Sequence, residues 1–154
     1  MTRPPYFPMM IDLQGKSVLV VGGGLVASRR AETLLRCGAR IAAVSPEFSP
    51  EFPKGTHRIT RTFTPEDITS DYMLIIAATD SREVNSLINS IAKAHGIPVN
   101  VCDSQSECDF FFPSLINHEN VAVSVCTAGM SAGLTRRLSD RLRKVWDSWV
   151  SEGI

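Results

Sequence analysis

The chain has no excess of charge of either sign and no long hydrophobic run. Its 16 Lys and Arg residues balance its 16 Asp and Glu residues, so no net field attracts nucleic acid or an anionic membrane surface. The longest apolar runs, such as residues 73–78, are far shorter than the ~20 residues that span a bilayer. We therefore expect no nucleic-acid partner and no membrane-spanning segment.

Cysteine and histidine are also scarce. The 4 cysteines include no CxxC pair, and the 3 histidines are scattered along the chain. We predict no metal site, although Cys102 and Cys108 each precede an aspartate. Residues 1–10 lack the apolar core of a secretory signal, and a chain of 154 residues can bury a core without disulfides. A reduced, cytoplasmic globular domain is the class that we expect.

Hydrophobic patterning predicts an α/β fold. The apolar run at 17–21 ends at three glycines, which is typical of a strand buried on both faces of a parallel sheet. Similar patterns predict helices at 25–36, 81–94 and 131–150, and strands at 40–44, 57–63, 72–78, 97–101, 110–112 and 121–125. The order of these elements indicates a Rossmann-like, doubly wound parallel sheet followed by a short β/α segment. We place the nucleotide-binding domain at 1–109 and the strand–helix segment at 110–154.

The first strand and helix are joined by Gly22-x-Gly24-x-x-Ala27. This spacing fits a dinucleotide fingerprint, in which the first glycine allows a tight turn and the second lets the backbone approach a pyrophosphate. The alternative is a turn that only connects two elements, and the flanking strand and helix favour nucleotide binding. The second strand ends at Ser45, where NAD-binding proteins usually carry an acid, and Glu47 comes two residues later. This position does not decide between NAD and NADP.

Polar residues follow several predicted strands, at the edge of the sheet where ligands bind. Asp80 could act as a general base or cap the next helix, and Asp103 could act as a base or form a turn. The turn at 127–131 could hold an anion, or Ser131 could be an ordinary N-cap. The arginines of the last helix, which include Arg136, are either anion contacts or a solvated face.

A series of motifs covers nearly the whole chain. They are the glycine-turn segment 8–30, Ala-Ala-Thr-Asp at 77–80 with Val84-Asn85, Val-Asn-Val-Cys-Asp at 99–103, Cys-Asp-Phe-x-x-Pro-Ser at 108–114, and Ser-Val-Cys-Thr-Ala-Gly-Met-Ser at 124–131 with Leu134 and Arg136. In this order they resemble the precorrin-2 dehydrogenase and sirohydrochlorin ferrochelatase family, the N-terminal domain of siroheme synthases. Two residues depart from the pattern, since Ala128 and Ala132 stand where relatives often carry glycine and proline.

The resemblance implies a reaction and a set of site residues. The reaction is oxidation of precorrin-2 to sirohydrochlorin with NAD as hydride acceptor, and some relatives also insert iron or cobalt into the product. Asp103 matches the family's catalytic aspartate and would accept the proton. The resemblance places the cofactor on Gly22, Gly24, Leu25, Val26, Ser45, Thr79 and Asp80, and the substrate on Asn100, Thr127, Ser131 and Arg136.

The last predicted helix carries an apolar stripe that includes both tryptophans. A stripe of this size is expected to be buried, so we predict a homodimer with this helix at or near the interface. Family members usually continue into a further helical region that helps to build the dimer and the substrate cleft.

A second function class shares part of the pattern. Nucleotide-sensing domains of potassium transporters combine a glycine turn with a similar strand end, and such a domain would bind NAD without chemistry. Those domains usually carry an acid where Ser45 stands, and they lack the Asn-Val-x-Asp and Cys-Asp-Phe-x-x-Pro series. The resemblance therefore favours the dehydrogenase.

Overall fold

The computed structural model describes residues 6–118 and 121–151. Contacts divide them into two compact units, one formed by Pro8–Phe110 and the other by the residues from Phe111 onward together with Tyr6 and Phe7. The division lies one residue after the predicted boundary. Tyr6 and Phe7 group with the second unit rather than with the predicted nucleotide-binding domain, and the ring of Tyr6 packs edge-on against Phe111 with centroids 5.1 Å apart.

The first unit contains a five-stranded parallel sheet with two crossover helices. The sheet is built from β1 (Ser17–Val21), β2 (Arg40–Ser45), β3 (His57–Thr60), β4 (Leu74–Ala77) and β5 (Val99–Val101), in the spatial order β3-β2-β1-β4-β5. Helix α1 (Leu25–Arg36) links β1 to β2, and α2 (Arg82–Ala94) links β4 to β5. This is the predicted Rossmann-like sheet, with β3 at the edge where the alternating pattern placed it. The strand order reverses between β1 and β4, and ligands bind at such a switch point.

The core lies around the central strands of this sheet. Val18, Leu19 and Val20 of β1 are fully buried, as expected for a strand covered on both faces. Side chains of α2, including Ile88 and Ala92, pack with the central and β5 strands to form the main hydrophobic cluster. The core therefore fixes the carboxyl ends of β1, β4 and β5 relative to one another.

An ion pair closes the loop after β3. Arg61 donates to both carboxylate oxygens of Asp67, at 2.8 and 2.5 Å, and Asp67 also accepts the backbone N–H of Thr64 at 2.9 Å. The hydrogen bonds from Arg61 are the main reason that the pKa of Asp67 is lowered. Because the folded-state pKa is below the unfolded value, the pair contributes stability above the unfolded pKa and loses it as the pH falls through the folded pKa.

We expect Asp67→Asn to lower the free energy of unfolding by about 1 kcal/mol at pH 7, since the charge-assisted bonds are lost and Arg61 is half exposed. The difference from the native protein should begin to shrink as the pH falls below ~4, where the unfolded carboxyl becomes protonated, and should disappear once the pH is below the lowered folded-state pKa. Urea denaturation at several pH values measures this. Asp71→Asn, which changes an exposed acid of the same segment, is the matched control, and an equal loss in that variant would contradict the assignment.

The second unit pairs an antiparallel hairpin with a long helix. Strands β6 (Ser114–His118) and β7 (Val121–Val125) form the hairpin, and α3 (Ala132–Ser151) packs against both. Arg143 of α3 donates to the hydroxyl of Ser114 and the carbonyl of Leu115. The predicted strand at 110–112 is wrong, because the Phe110 carbonyl accepts a side-chain hydrogen bond from Asn100 and Pro113 has no N–H to donate to a ladder.

The apolar stripe of α3 is only partly covered within the chain. Leu134, Leu138, Val145 and Trp149 are between 39% and 45% exposed. Among the described helices, none is both long and apolar enough to cross a bilayer.

Candidate functional site

A cleft of about 720 Å³ lies at the carboxyl edge of the parallel sheet. Its walls come from the glycine turn after β1, the loop 45–50 after β2, residues 62–63 after β3, and the residues 78–81 after β4. The volume is within the range of pockets that hold cofactors, about 300–1,000 Å³. The topology thus brings the predicted fingerprint and the predicted end of β4 to one opening.

Three consecutive glycines shape one wall of this cleft, each for a different reason. Gly22 has a φ of +122°, a backbone conformation that residues with a side chain rarely adopt, and a Cβ there would overlap the carbonyl of Ala78. A Cβ on Gly23 would overlap the carbonyl oxygen of Glu47. A Cβ on Gly24 would meet no protein atom within 4 Å. Two glycines are therefore required by packing, and the third leaves open space beside the cleft.

The N-terminus of α1 borders that space. Gly24 is its N-cap and has no side chain to bond the first N–H groups, and the first intrahelical bond runs from the N–H of Ser28 to the Gly24 carbonyl. The N–H groups of Leu25 and Val26 therefore precede the helical ladder, and both residues are about half exposed. Open space against backbone donors and the positive end of a helix fits the pyrophosphate of a dinucleotide.

The opposite wall is the loop after β2. The Ser45 hydroxyl donates to the carbonyl of Glu47 at 2.6 Å, and the N–H of Ser49 donates to the carbonyl of Gly23 at 2.8 Å. Ser45 is 7% exposed, so its hydroxyl is used to fold the loop rather than presented to a ligand. Ser45 lines the predicted site, and its contribution is to set the position of the residues that follow.

The end of β4 is held by a side chain that sequence reasoning did not assign. Asn85 of α2 is fully buried, accepts from the N–H and hydroxyl of Thr79 at 3.1 and 2.8 Å, and donates to the Thr79 carbonyl at 3.0 Å. The only signal for Asn85 in the sequence was its place in the Val84-Asn85 motif.

Asp80 is exposed at the cleft. The alternative that it caps α2 is wrong, because the Ser81 hydroxyl accepts the N–H of Val84.

Comparison with known proteins extends this description of the cleft. Residues 9–114 match the family described as "Putative NAD(P)-binding". The chain belongs to this NAD(P)-binding family. Because residues 9–114 include the glycine turn and the segments after β2, β3 and β4, the family match covers every wall of the cleft.

Relatives of this NAD(P)-binding chain include siroheme synthases. The chain is 42% identical over 143 residues to siroheme synthase 2 of Aeromonas hydrophila, covering 91% of this chain and 30% of the relative. It is 38% identical over 141 residues to the siroheme synthase of Pseudoalteromonas translucida, covering 89% of this chain and 30% of that protein. The chain therefore spans about a third of the length of these relatives.

A solved structure matches nearly the whole NAD(P)-binding chain. It is SirC, precorrin-2 dehydrogenase, with a TM-score of 0.70 and 28% sequence identity, covering 90% of this chain and 70% of that one. The match extends beyond the parallel sheet, since a sheet alone would account for a smaller share of the residues.

Asp103 of the NAD(P)-binding chain follows β5, the strand beside β4. The N–H of Cys102 donates to the Ala77 carbonyl at 2.9 Å, which joins the ends of the two strands. Asp103 does not line the cleft itself. Its Oδ1 accepts from Arg82 at 2.6 Å, and Arg82 also donates to Glu107 at 2.5 Å. The side chain of Asp103 remains 37% exposed, so a ligand can approach the carboxylate.

Asn100 is buried beneath this segment. Its amide nitrogen donates to the Phe110 carbonyl at 2.8 Å and contacts the Cys108 sulfur at 3.4 Å, and its oxygen faces the Cys102 thiol at 3.6 Å. Burial raises the pKa of both thiols. Asn100 is 4% exposed and its amide is engaged on both sides, so it positions the end of β5. The substrate contact predicted for it stays a prediction.

The remaining predicted residues lie in the second unit. The Thr127 hydroxyl accepts the N–H of Ser131 at 3.1 Å, and the Ser131 hydroxyl accepts the N–H of Leu134 at 3.1 Å, so Ser131 is the N-cap of α3. Ala128 adopts φ +52°, a left-handed conformation that glycine adopts more readily than alanine. The Arg136 side chain is 86% exposed. Substrate binding by Thr127, Ser131 and Arg136 stays a prediction.

Proposed function

We propose that this chain oxidises precorrin-2 to sirohydrochlorin with NAD as the electron acceptor. The observation that carries the proposal is the neighbouring position of two features. A dinucleotide-sized cleft lies at the ends of β1 and β4, and Asp103 follows the adjacent strand β5. The match to SirC and the identity with siroheme synthases indicate which substrate such a pair would serve.

The reaction removes a hydride and a proton from a saturated carbon pair of the macrocycle. Bound NAD supplies the hydride acceptor, and Gly24, Leu25 and Val26 would hold its pyrophosphate through backbone N–H groups. Asp103 would accept the proton as the new double bond forms. A carboxylate in this role must reach the proton that it removes, and the exposed side chain of Asp103 allows this approach.

Arg82 keeps Asp103 in place for this step. Its guanidinium bonds Asp103 and Glu107 at once, and the amide of Asn89 donates to the same oxygen of Glu107 at 3.3 Å. Within this hydrogen-bond network the Glu107 side chain is 28% exposed, whereas the side chains of Arg82 and Asp103 are 44% and 37% exposed. A carboxylate whose rotamer is already fixed loses less conformational entropy when it reaches the geometry needed for proton transfer.

The substrate carries several carboxylates, and we propose that Thr127, Ser131 and Arg136 of the second unit bind it. Arginine suits carboxylates because its planar guanidinium can donate two parallel hydrogen bonds.

We further propose that the chain acts as a homodimer in the cytoplasm. The half-exposed stripe of α3 supports a second copy as its cover, and sedimentation that shows only monomer at micromolar concentration would contradict it.

The proposed function is tested by mixing the chain with precorrin-2 and NAD+ in the absence of oxygen and following NADH absorbance. We expect NADH and sirohydrochlorin to form in equal amounts, because each turnover transfers one hydride. Tight NAD+ binding without NADH formation would contradict the dehydrogenase and favour a nucleotide-sensing domain.

A further inference from the structure

The structure assigns Glu47 as the residue that selects NAD over NADP. The inference rests on the proposed use of a nicotinamide dinucleotide. In most Rossmann folds an acid at the end of the second strand binds the ribose 2′-hydroxyl and repels a 2′-phosphate, whereas NADP enzymes place an arginine nearby. Here that position is Ser45, which has no charge.

The loop after β2 brings an acid back to the same edge of the cleft. The Ser45 hydroxyl holds the Glu47 carbonyl at 2.6 Å, and this carbonyl lies so close to Gly23 that no side chain fits between them. Ser49, two residues further on, donates to the Gly23 carbonyl. The backbone of residue 47 is thus fixed against the glycine turn, and Glu47 lines the cleft beside Ser45. Folding of the loop replaces the acid that the end of β2 lacks.

The charge of the cleft supports the same preference. The residues that line it, all within the described part of the chain, include two acidic residues, Glu47 and Asp80, and no lysine, arginine or histidine. NADP carries an additional phosphate of about two negative charges. Placing it among carboxylates without a cation to pair with it is unfavourable.

The arginines on and after β3 are engaged elsewhere. The Arg58 guanidinium lies 5.6 and 5.5 Å from the ring centroids of Phe48 and Phe52, and it donates to the Phe52 carbonyl at 2.5 Å. Arg61, which precedes the cleft-lining Thr62, is paired with both oxygens of Asp67. Recruiting either guanidinium to a 2′-phosphate would break these contacts, so the nearby arginines do not offset the effect of Glu47.

The test measures binding and needs no turnover. The chain and its Glu47→Gln variant are titrated calorimetrically with NAD+ and with NADP+ at the same ionic strength. We expect the native chain to bind NAD+ more tightly, and Glu47→Gln to reduce the ratio of the two Kd values about tenfold, equivalent to ~1.4 kcal/mol. Glu51→Gln is the matched control, because Glu51 belongs to the same loop, is exposed and does not line the cleft. It should leave the ratio unchanged.

Two results would overturn the inference. One is a native chain that binds NADP+ as tightly as NAD+, and the other is an unchanged ratio in Glu47→Gln. Failure of the proposed reaction is distinguishable from failure of this inference. If the chain binds NAD+ selectively through Glu47 but does not oxidise precorrin-2, the dehydrogenase is refuted and the assignment of Glu47 is supported.

Discussion

Asp103→Asn should lower the turnover of precorrin-2 by about 10² to 10⁴-fold, the contribution typical of a general base. The amide keeps the shape of the side chain and can still accept a hydrogen bond from Arg82, so the loop after β5 should keep its conformation. It cannot take up the proton that the substrate releases. Because Asp103 does not line the dinucleotide cleft, the Kd for NAD+ should not change. Initial rates of NADH formation and calorimetric NAD+ titration measure the two effects separately.

Glu107→Gln is the matched control for this experiment. Glu107 is the second carboxylate on the same guanidinium, so its replacement removes one negative charge from the same cluster and leaves Asp103 in place. We expect turnover in this variant to remain close to that of the native chain. Near-normal turnover in Asp103→Asn would exclude Asp103 as the base, and an equal collapse in both variants would indicate that the cluster acts only through its structure.

Gly23→Ala should destabilise the fold by about 3 kcal/mol, the upper part of the range for overpacking. The new methyl group would overlap the backbone carbonyl of Glu47 and crowd the Ser45 hydroxyl. A backbone atom cannot move aside as the end of a flexible side chain can, so the loop after β2 must shift. Denaturant-induced unfolding measures the loss of stability.

Gly24→Ala, one residue further along, should have little effect on stability and should weaken NAD+ binding. Its methyl group meets no protein atom within 4 Å and its φ of −78° is accessible to alanine. The free energy of unfolding should therefore fall by no more than about 1 kcal/mol, the effect of the N-cap preference for glycine over alanine. The same methyl group would occupy the space that we assign to the pyrophosphate, and NAD+ binding should weaken about tenfold or more, at least ~1.4 kcal/mol. Unchanged NAD+ binding in Gly24→Ala would contradict the assignment of the pyrophosphate to this position.

The sequence predicted the order and type of the helices and parallel strands of the first unit, because its central strands are buried on both faces and its helices are followed closely by glycines. Helix α1 and strands β1 and β7 have the predicted bounds. The error at 110–112 has a tertiary cause: three aromatic residues favour a strand locally, and the Asn100 side chain takes the Phe110 carbonyl instead.

The site was predictable where a local backbone requirement shows in the sequence. Gly22 and Gly24 follow from the fingerprint, whereas the packing role of Gly23 depends on a loop more than twenty residues away. Arg82 was missed for the same reason, since its partners Asp103 and Glu107 lie more than twenty residues further along the chain. Asn85 was missed although Thr79 is only six residues away, because their bonds depend on how the start of α2 folds back onto the end of β4. Hydrophobic periodicity contains no information on such polar contacts between elements.

The bonds between Asn85 and Thr79 also restrict how the cleft can move. The amide holds the N–H, hydroxyl and carbonyl of Thr79, and it projects from the first turn of α2, which is itself packed on the core. The segment after β4 therefore cannot swing open by itself as a lid, because any displacement must carry the start of the helix or break buried hydrogen bonds. Entry of a ligand from this side must therefore rely on a preformed opening.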